Sequence, residues 1–405
     1  MKKLFAAVLA VILLSGAAPQ IRAASPAGAD PAGKIISLTI GSPIMTVNGA
    51  ARRLDGVPLI ENGRTLVPLR AIFEALGAGV DWDAAAQTVT GTRGKTVIRL
   101  TVGSPDAYVN GVRIRLETAP EAVNGRTMVP LRFIAESLGA EVQWLPETRM
   151  VIIAQNAGYI AINGAAIGIG DTLADLTGRL GAADRIDPSC YGFDWYVYNG
   201  DYSRFIMAGV KNGVVEALYT DSKGFATNGA KYGDAGVSAG PGAKFYFDNN
   251  DGGRLYACMI ISGDAASADY GSDFYAAQEM ENFDATNAFR VSHGMAPLAY
   301  DEAAARAARL HSQDMADRNY FSHYSPEGYW VPDWYAKGGG GLYRYIGENI
   351  SGGHLLGVDA FDGWVNSAKH REGMLGDYAY LGVGYGHNPN SQYEYYITQI
   401  FILPQ

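Results

Sequence analysis

The chain has 405 residues, of which 48% are hydrophobic and 18% charged, a length that suggests two to four domains and an apolar content that can fill several cores. Its 51 glycines favour turns and strands over long helical bundles. The net charge of −9 is uneven: residues 35–156 hold 12 basic against 11 acidic side chains, whereas residues 157–405 hold 16 against 29, which argues against a nucleic-acid partner.

At the start, Lys2 and Lys3 precede an apolar run from Leu4 to Leu14 and then small residues. That run is short for a membrane span but fits a secretory signal, expected over residues 1–23 with cleavage after Ala17 or Ala23. No later apolar stretch reaches about 18 residues, so no transmembrane anchor is expected after signal cleavage. The expected location is extracellular or at the cell wall.

Residues 35–156 contain a repeat. Asn62-Gly-Arg-Thr-Leu-Val-Pro-Leu-Arg70 returns as Asn124-Gly-Arg-Thr-Met-Val-Pro-Leu-Arg132, an offset of 62 residues that also joins Gly41-Ser-Pro43 to Gly103-Ser-Pro105. Val47-Asn-Gly49 and Val109-Asn-Gly111 are hairpin signals. Pro68 and Pro130 suit a first helical turn, and Gly77 a helix stop. Trp82 and the alternating Thr96–Val102 segment read as returning strands, so each unit is expected to be a small sheet with one short helix. These motifs resemble the copper amine oxidase N-terminal-like repeat of exported bacterial proteins, a binding module or a spacer. The segment has no histidine, which rules out a three-imidazole copper site in it.

Residues 157–265 read as a mixed α+β middle domain. Ile167–Gly181 predicts a strand and then a helix capped by Asp171 or Thr172 and closed by Gly181. Phe193–Tyr198 and Val214–Tyr219 read as strands. The segment Leu180–Asp187, with Tyr191–Tyr198 after it, is similar to the domain that often precedes bacterial CAP domains. The chain's two cysteines, Cys190 and Cys258, fall here and are either a disulfide or two buried thiols.

From Phe274 the pattern is helical, with Asp301 opening a long amphipathic helix to about Asn319 whose buried face is expected at Leu310 and Met315. Four motifs follow: Tyr320-Phe-Ser-His323-Tyr-Ser-Pro326, Gly347-Glu-Asn349, Trp364-Val-Asn-Ser-Ala-Lys-His-Arg371 and Leu381-Gly-Val-Gly384. Together they closely resemble the bacterial branch of the CAP superfamily, which implies an α–β–α sandwich over residues 273–405. All six histidines lie between His293 and His387.

The resemblance places His323, Glu348 and His370 in one cleft, with Ser367 where the wider superfamily has a second glutamate. Three readings stay open: a binding cleft or hydrogen-bonded network, a divalent metal site such as zinc held by His323, Glu348 and His370, and hydrolysis by a histidine-assisted Ser367. His311 is expected to be packed or a surface partner, and His293, His354 and His387 to be solvated. Lys337–Leu342 is expected to be a flexible loop able to act as a lid. The overall expectation is an α+β multidomain protein that binds a cell-wall polymer, lipid or extracellular protein, with a metal-dependent hydrolase or peptidase, or a structural wall protein, as alternatives.

Overall fold

The computed structural model describes residues 33–155, 158–262 and 271–405, so the expected signal segment lies outside the described residues. The helices are α1 (Leu69–Ala75), α2 (Leu131–Ser137), α3 (Leu173–Leu180), α4 (Ser272–Ser292), α5 (Glu302–Arg318), α6 (Val331–Lys337), α7 (Gly357–Val365) and α8 (Ala368–Met374). The protein is of the mixed α+β class, with several small sheets.

The two repeat units do fold alike. Asn48 and Asn110, and likewise Asn62 and Asn124, take matching left-handed backbone angles in their Asn-Gly turns. Yet neither unit is a sheet by itself. The strand Lys34–Thr39 of the first unit pairs with Met150–Gln155 of the second, and Thr88–Arg93 of the first pairs with Thr96–Thr101 of the second. Thr96–Thr101 is therefore the opening strand of the second unit, not the returning strand of the first. Each five-stranded sheet needs strands from both copies, which leaves one copy alone with unpaired strand edges. Ile72, Phe73, Leu76, Ile134 and Leu138 of both units fill one shared core between the sheets.

The middle region is a six-stranded antiparallel sheet, in the spatial order Arg185–Pro188, Asp194–Tyr198, Ile206–Lys211, Val214–Thr220, Arg254–Ile261, Ala243–Asp248. Thr172 caps α3, receiving the Asp175 N–H in a capping box, and Gly181 closes it at a positive φ. Of the two expected caps, Asp171 is instead buried, accepting from Gly168 N and pairing with Arg179. One face of the sheet is covered by α3 and a hairpin, and the other lies on the C-terminal region. There Trp195, Met207, Tyr219, Tyr246 and Tyr256 share a single core with Phe283, Phe289, Phe361 and Trp364. Cys190 and Cys258 are both buried free thiols, which removes the disulfide reading. Burial pushes the Cys190 thiol up to about 12.

In the C-terminal region the sheet order is Ala299–Tyr300, Tyr380–His387, Tyr395–Pro404, Tyr343–Gly352. It is antiparallel except that the short first strand joins Tyr380–Leu381 in parallel. Asp301 caps α5, and Asn319 ends it in the left-handed conformation. The buried face of α5 is Ala304, Ala305, Ala308, His311, Ser312 and Met315, whereas Leu310 is 44% exposed, contrary to expectation. The glycines opposite explain this. A Cβ at Gly382, Gly384 or Gly386 would stand 2.1, 2.0 or 2.3 Å from the backbone of α5. The helix lies so close to the sheet that small side chains, Ala304, Ala308 and Ser312, face these glycines.

Candidate functional site

Three of the four sequence motifs meet at the edge strand Tyr343–Gly352, whereas Leu381–Gly384 lies against α5. Along the strand Tyr343–Gly352 successive side chains alternate faces, so Glu348 and Asn349 point oppositely. Asn349 enters a buried amide network, donating to His370 O (3.1 Å) and Gln399 Oε1 (3.1 Å), with Gln399 donating onward to Asn282 and Thr286. Glu348 faces the other way and is held by two imidazoles. His311 Nδ1 lies 2.8 Å from Oε1, and His323 Nδ1 lies 2.7 Å from Oε2. The Glu348 side chain is 3% exposed, and its two oxygens are both taken.

His311 is fully buried, stacks on Trp334 with ring centroids 5.1 Å apart, and has Nε2 3.1 Å from Ser322 O. It thus ties α5 to the His323 loop through the carboxylate. Its role escapes a motif search, because it lies 37 residues from Glu348. Its spacing from Ala304, Ala308 and Met315 does put it on the buried helical face.

Electrostatics follow from these contacts. Burial pushes the Glu348 carboxyl up, but the hydrogen bonds from His311 and His323 more than offset it and hold it below the usual carboxylate range. The hydrogen bond to Glu348 raises His323, against a smaller opposing effect of burial. Burial lowers His370, and the neighbouring His323 charge lowers it further.

A cleft of about 540 Å³ opens beside this trio. His323, Ser367 and His370 line it together with Phe321, Tyr324 and His354. Ser367 sits at the start of α8 and makes no side-chain cap hydrogen bond. Trp364 closes the floor, fully packed, with its indole N–H donating to Ile350 O at 3.0 Å. Phe321, by contrast, is 43% exposed and forms part of the rim. His354, expected to be solvated, lines the cleft, shares a hydrogen bond with Ser351 Oγ (2.9 Å) and is lowered by burial. His293 caps the end of α4, and His387 stacks on Tyr395, so neither is at the cleft.

The geometry bears on two of the open readings. Among the described residues no cluster of three metal-ligating side chains could hold a metal ion, and Glu348 spends both oxygens on imidazole N–H groups. His323, Glu348 and His370 therefore do not fit a three-ligand metal site. The glycine loop at 337–342 does not line the cleft, and it packs on α5, where a Cβ at Gly338 would stand 2.3 Å from Ala303 O.

Beyond the cleft mouth, Tyr324 (57% exposed) and Trp330 (47% exposed) stack nearly parallel, with centroids 6.3 Å apart and 11° between planes. Tyr329 beside them carries Lys337 Nζ over its ring at 3.4 Å.

Comparison with known proteins agrees with this architecture. Family models match a copper amine oxidase N-terminal domain at residues 46–153, a CAP-associated N-terminal domain at 169–238 and the cysteine-rich secretory protein family at 283–401. An "Uncharacterized membrane protein YlbC" of Bacillus subtilis is 28% identical over 285 residues, covering 56% of this chain and 80% of that protein. An "Uncharacterized protein YkwD" of the same organism is 40% identical over 110 residues, covering 27% of this chain and 42% of that protein. Among solved structures, an extracellular protein containing a SCP domain from Bacillus anthracis is 27% identical with a TM-score of 0.50, covering 58% of this chain and 93% of the other. Among the described residues no helix is long and apolar enough to cross a membrane. The chain thus carries a C-terminal domain that matches the cysteine-rich secretory protein (CAP) family, behind a region that matches a CAP-associated N-terminal domain and one that matches a copper amine oxidase N-terminal domain.

Proposed function

We propose that the CAP cleft is a non-catalytic recognition site for the sugar strands of a cell-wall polymer, carried by a protein acting outside the cytoplasm. The observation that carries this reading is the exposed Tyr324–Trp330 ring pair at the mouth of a cleft lined by imidazoles and a free serine hydroxyl. Flat aromatic faces suit the apolar faces of pyranose rings, while imidazole nitrogens and Ser367 suit their hydroxyls. Hydrolysis of such a strand ordinarily uses two carboxyl groups about 5–9.5 Å apart. Among the described residues that line the cleft none is a carboxylate, and the adjacent Glu348 is buried with both oxygens taken. A serine nucleophile would need a base, and the nearest hydroxyl–imidazole contact in the cleft involves Ser351, not Ser367.

The test is co-sedimentation of the full-length protein with purified peptidoglycan and, separately, with phosphatidylglycerol vesicles. Binding to peptidoglycan that falls at least about tenfold in a Tyr324→Ala/Trp330→Ala double variant supports the reading. Binding to vesicles alone, or peptidoglycan binding that the substitutions leave untouched, overturns it.

A further inference from the structure

We infer that the middle six-stranded sheet is part of the cleft's machinery: its hairpin Ala243–Ile261 positions Ser367 and His370, and Asp248 and Asn250 are positioning residues. The inference rests on the recognition role proposed for the cleft.

The cleft wall formed by residues 363–370 is built on the junction between α7 and α8. That junction is capped from within only in part: Asn366 N and Nδ2 donate to Asp362 O, and Ser367 N donates to Trp364 O, while Ser367 at the head of α8 makes no side-chain cap bond. The Val365 carbonyl and the Asn366 side chain are bonded from the other domain as well. Asn250 Nδ2 donates to Val365 O at 2.9 Å, and Asn249 N donates to Asn366 Oδ1 at 2.9 Å. One turn later Asp248 grips Arg371 at 2.6 Å, with side chains 4% and 16% exposed.

The tip that makes these bonds is itself rigid. Asp248 Oδ1 accepts the N–H groups of Asn250 (3.0 Å) and Asp251 (3.1 Å), while its Oδ2 binds Arg371. Arg371 is fixed from a second side, with its guanidinium 4.9 Å from the Phe289 ring centroid. Further back, Tyr256 donates to Asp362 (2.7 Å), and Lys244 donates to Asp359 (2.6 Å). The hairpin therefore binds segment 359–371 along one side. From the other side the same segment presents Gly363, Trp364, Ser367 and His370 to the cleft. Opposite them, His323 is held by Glu348 and α5, entirely within the CAP domain. One wall is thus held from both sides, by Asn349 and Ile350 of the CAP strand, which bond His370 O and the Trp364 indole, and by the inter-domain contact behind it; a shift of about 1 Å in that wall is enough to weaken a polar site substantially.

The experiment uses the full chain with Asp248→Asn/Asn250→Ala. Asparagine keeps a cap acceptor at 248 but removes the charge paired with Arg371. Asn199→Ala is the control: it deletes another inter-domain hydrogen bond, to Asp284, remote from the junction. Two readouts are taken: affinity for a purified GlcNAc–MurNAc tetrasaccharide, and the imidazole resonances of His370 by NMR across pH 5–8. The expected result is about tenfold weaker tetrasaccharide binding and displaced His370 resonances in the double variant, with both unchanged in the control. Unchanged His370 resonances in a folded double variant overturn the inference. If the wild type does not bind the tetrasaccharide, the recognition role fails, and the His370 resonances still decide the positioning role.

Discussion

Glu348→Gln is the substitution with the clearest consequence. The carboxylate is 3% exposed and accepts from two imidazoles at 2.8 and 2.7 Å. Glutamine is nearly isosteric, but its NH2 group turns a donor toward one of the two imidazoles. It leaves a buried donor unsatisfied and removes a charge-assisted bond, a loss of about 3 kcal/mol. Because the CAP and CAP-associated domains share one core, they should melt together, and that loss corresponds to a drop in Tm of about 6–12 °C.

The loss should also depend on pH. Glu348 is held below its ordinary value, so its contribution is present above about pH 4.3 and is lost as pH falls through the lower folded value. His323 is raised, so its contribution is complete below about pH 6.5 and is lost as pH rises through the higher folded value. The gap between wild type and variant should therefore be widest between about pH 4.5 and 6.5, narrowing on both sides. Calorimetric melting from pH 3.5 to 8.5 measures it. A gap that is absent, or the same at every pH, refutes the assignment of this trio as a charge-assisted network.

Two further predictions concern packing and thiols. Gly384→Ala would place a Cβ 2.0 Å from the Arg309 backbone nitrogen, so α5 must move; we expect a loss of about 3 kcal/mol or an insoluble product, read by urea unfolding and expression, and near-wild-type stability would contradict the close helix–sheet contact. Cys190 and Cys258 are buried and free, with Cys190 pushed up to about 12 by burial, so a thiol reagent at pH 8 should label neither in the native protein and both in denaturant without reductant; a reductant requirement would reveal a disulfide.

The sequence made the domain order and most of the cleft legible, because both are written in local signals. The 62-residue repeat, the Asn-Gly turns and the Asp301 cap each depend on neighbours within a few residues. What it hid was non-local. Strand exchange between the two repeats depends on which free edges meet, and no spacing encodes that. Leu310 was a reasonable choice for the buried side of α5 by hydrophobicity, but Gly382, Gly384 and Gly386 select for small side chains there. The metal reading treated Glu348 as a ligand because residue type alone cannot show that His311 and His323 occupy both its oxygens. The inter-domain grip on Arg371 likewise required the fold, since Asp248 lies 123 residues away.

Recognition without cleavage is tested most directly by one titration. A GlcNAc–MurNAc tetrasaccharide is added to the full-length protein while NMR follows the side chains of Tyr324, Trp330, His323 and His370, and reducing ends are counted in the same sample. Saturable shifts confined to these residues, with no new reducing ends, are expected. Shifts elsewhere, no shifts at all, or the appearance of reducing ends would contradict recognition without cleavage.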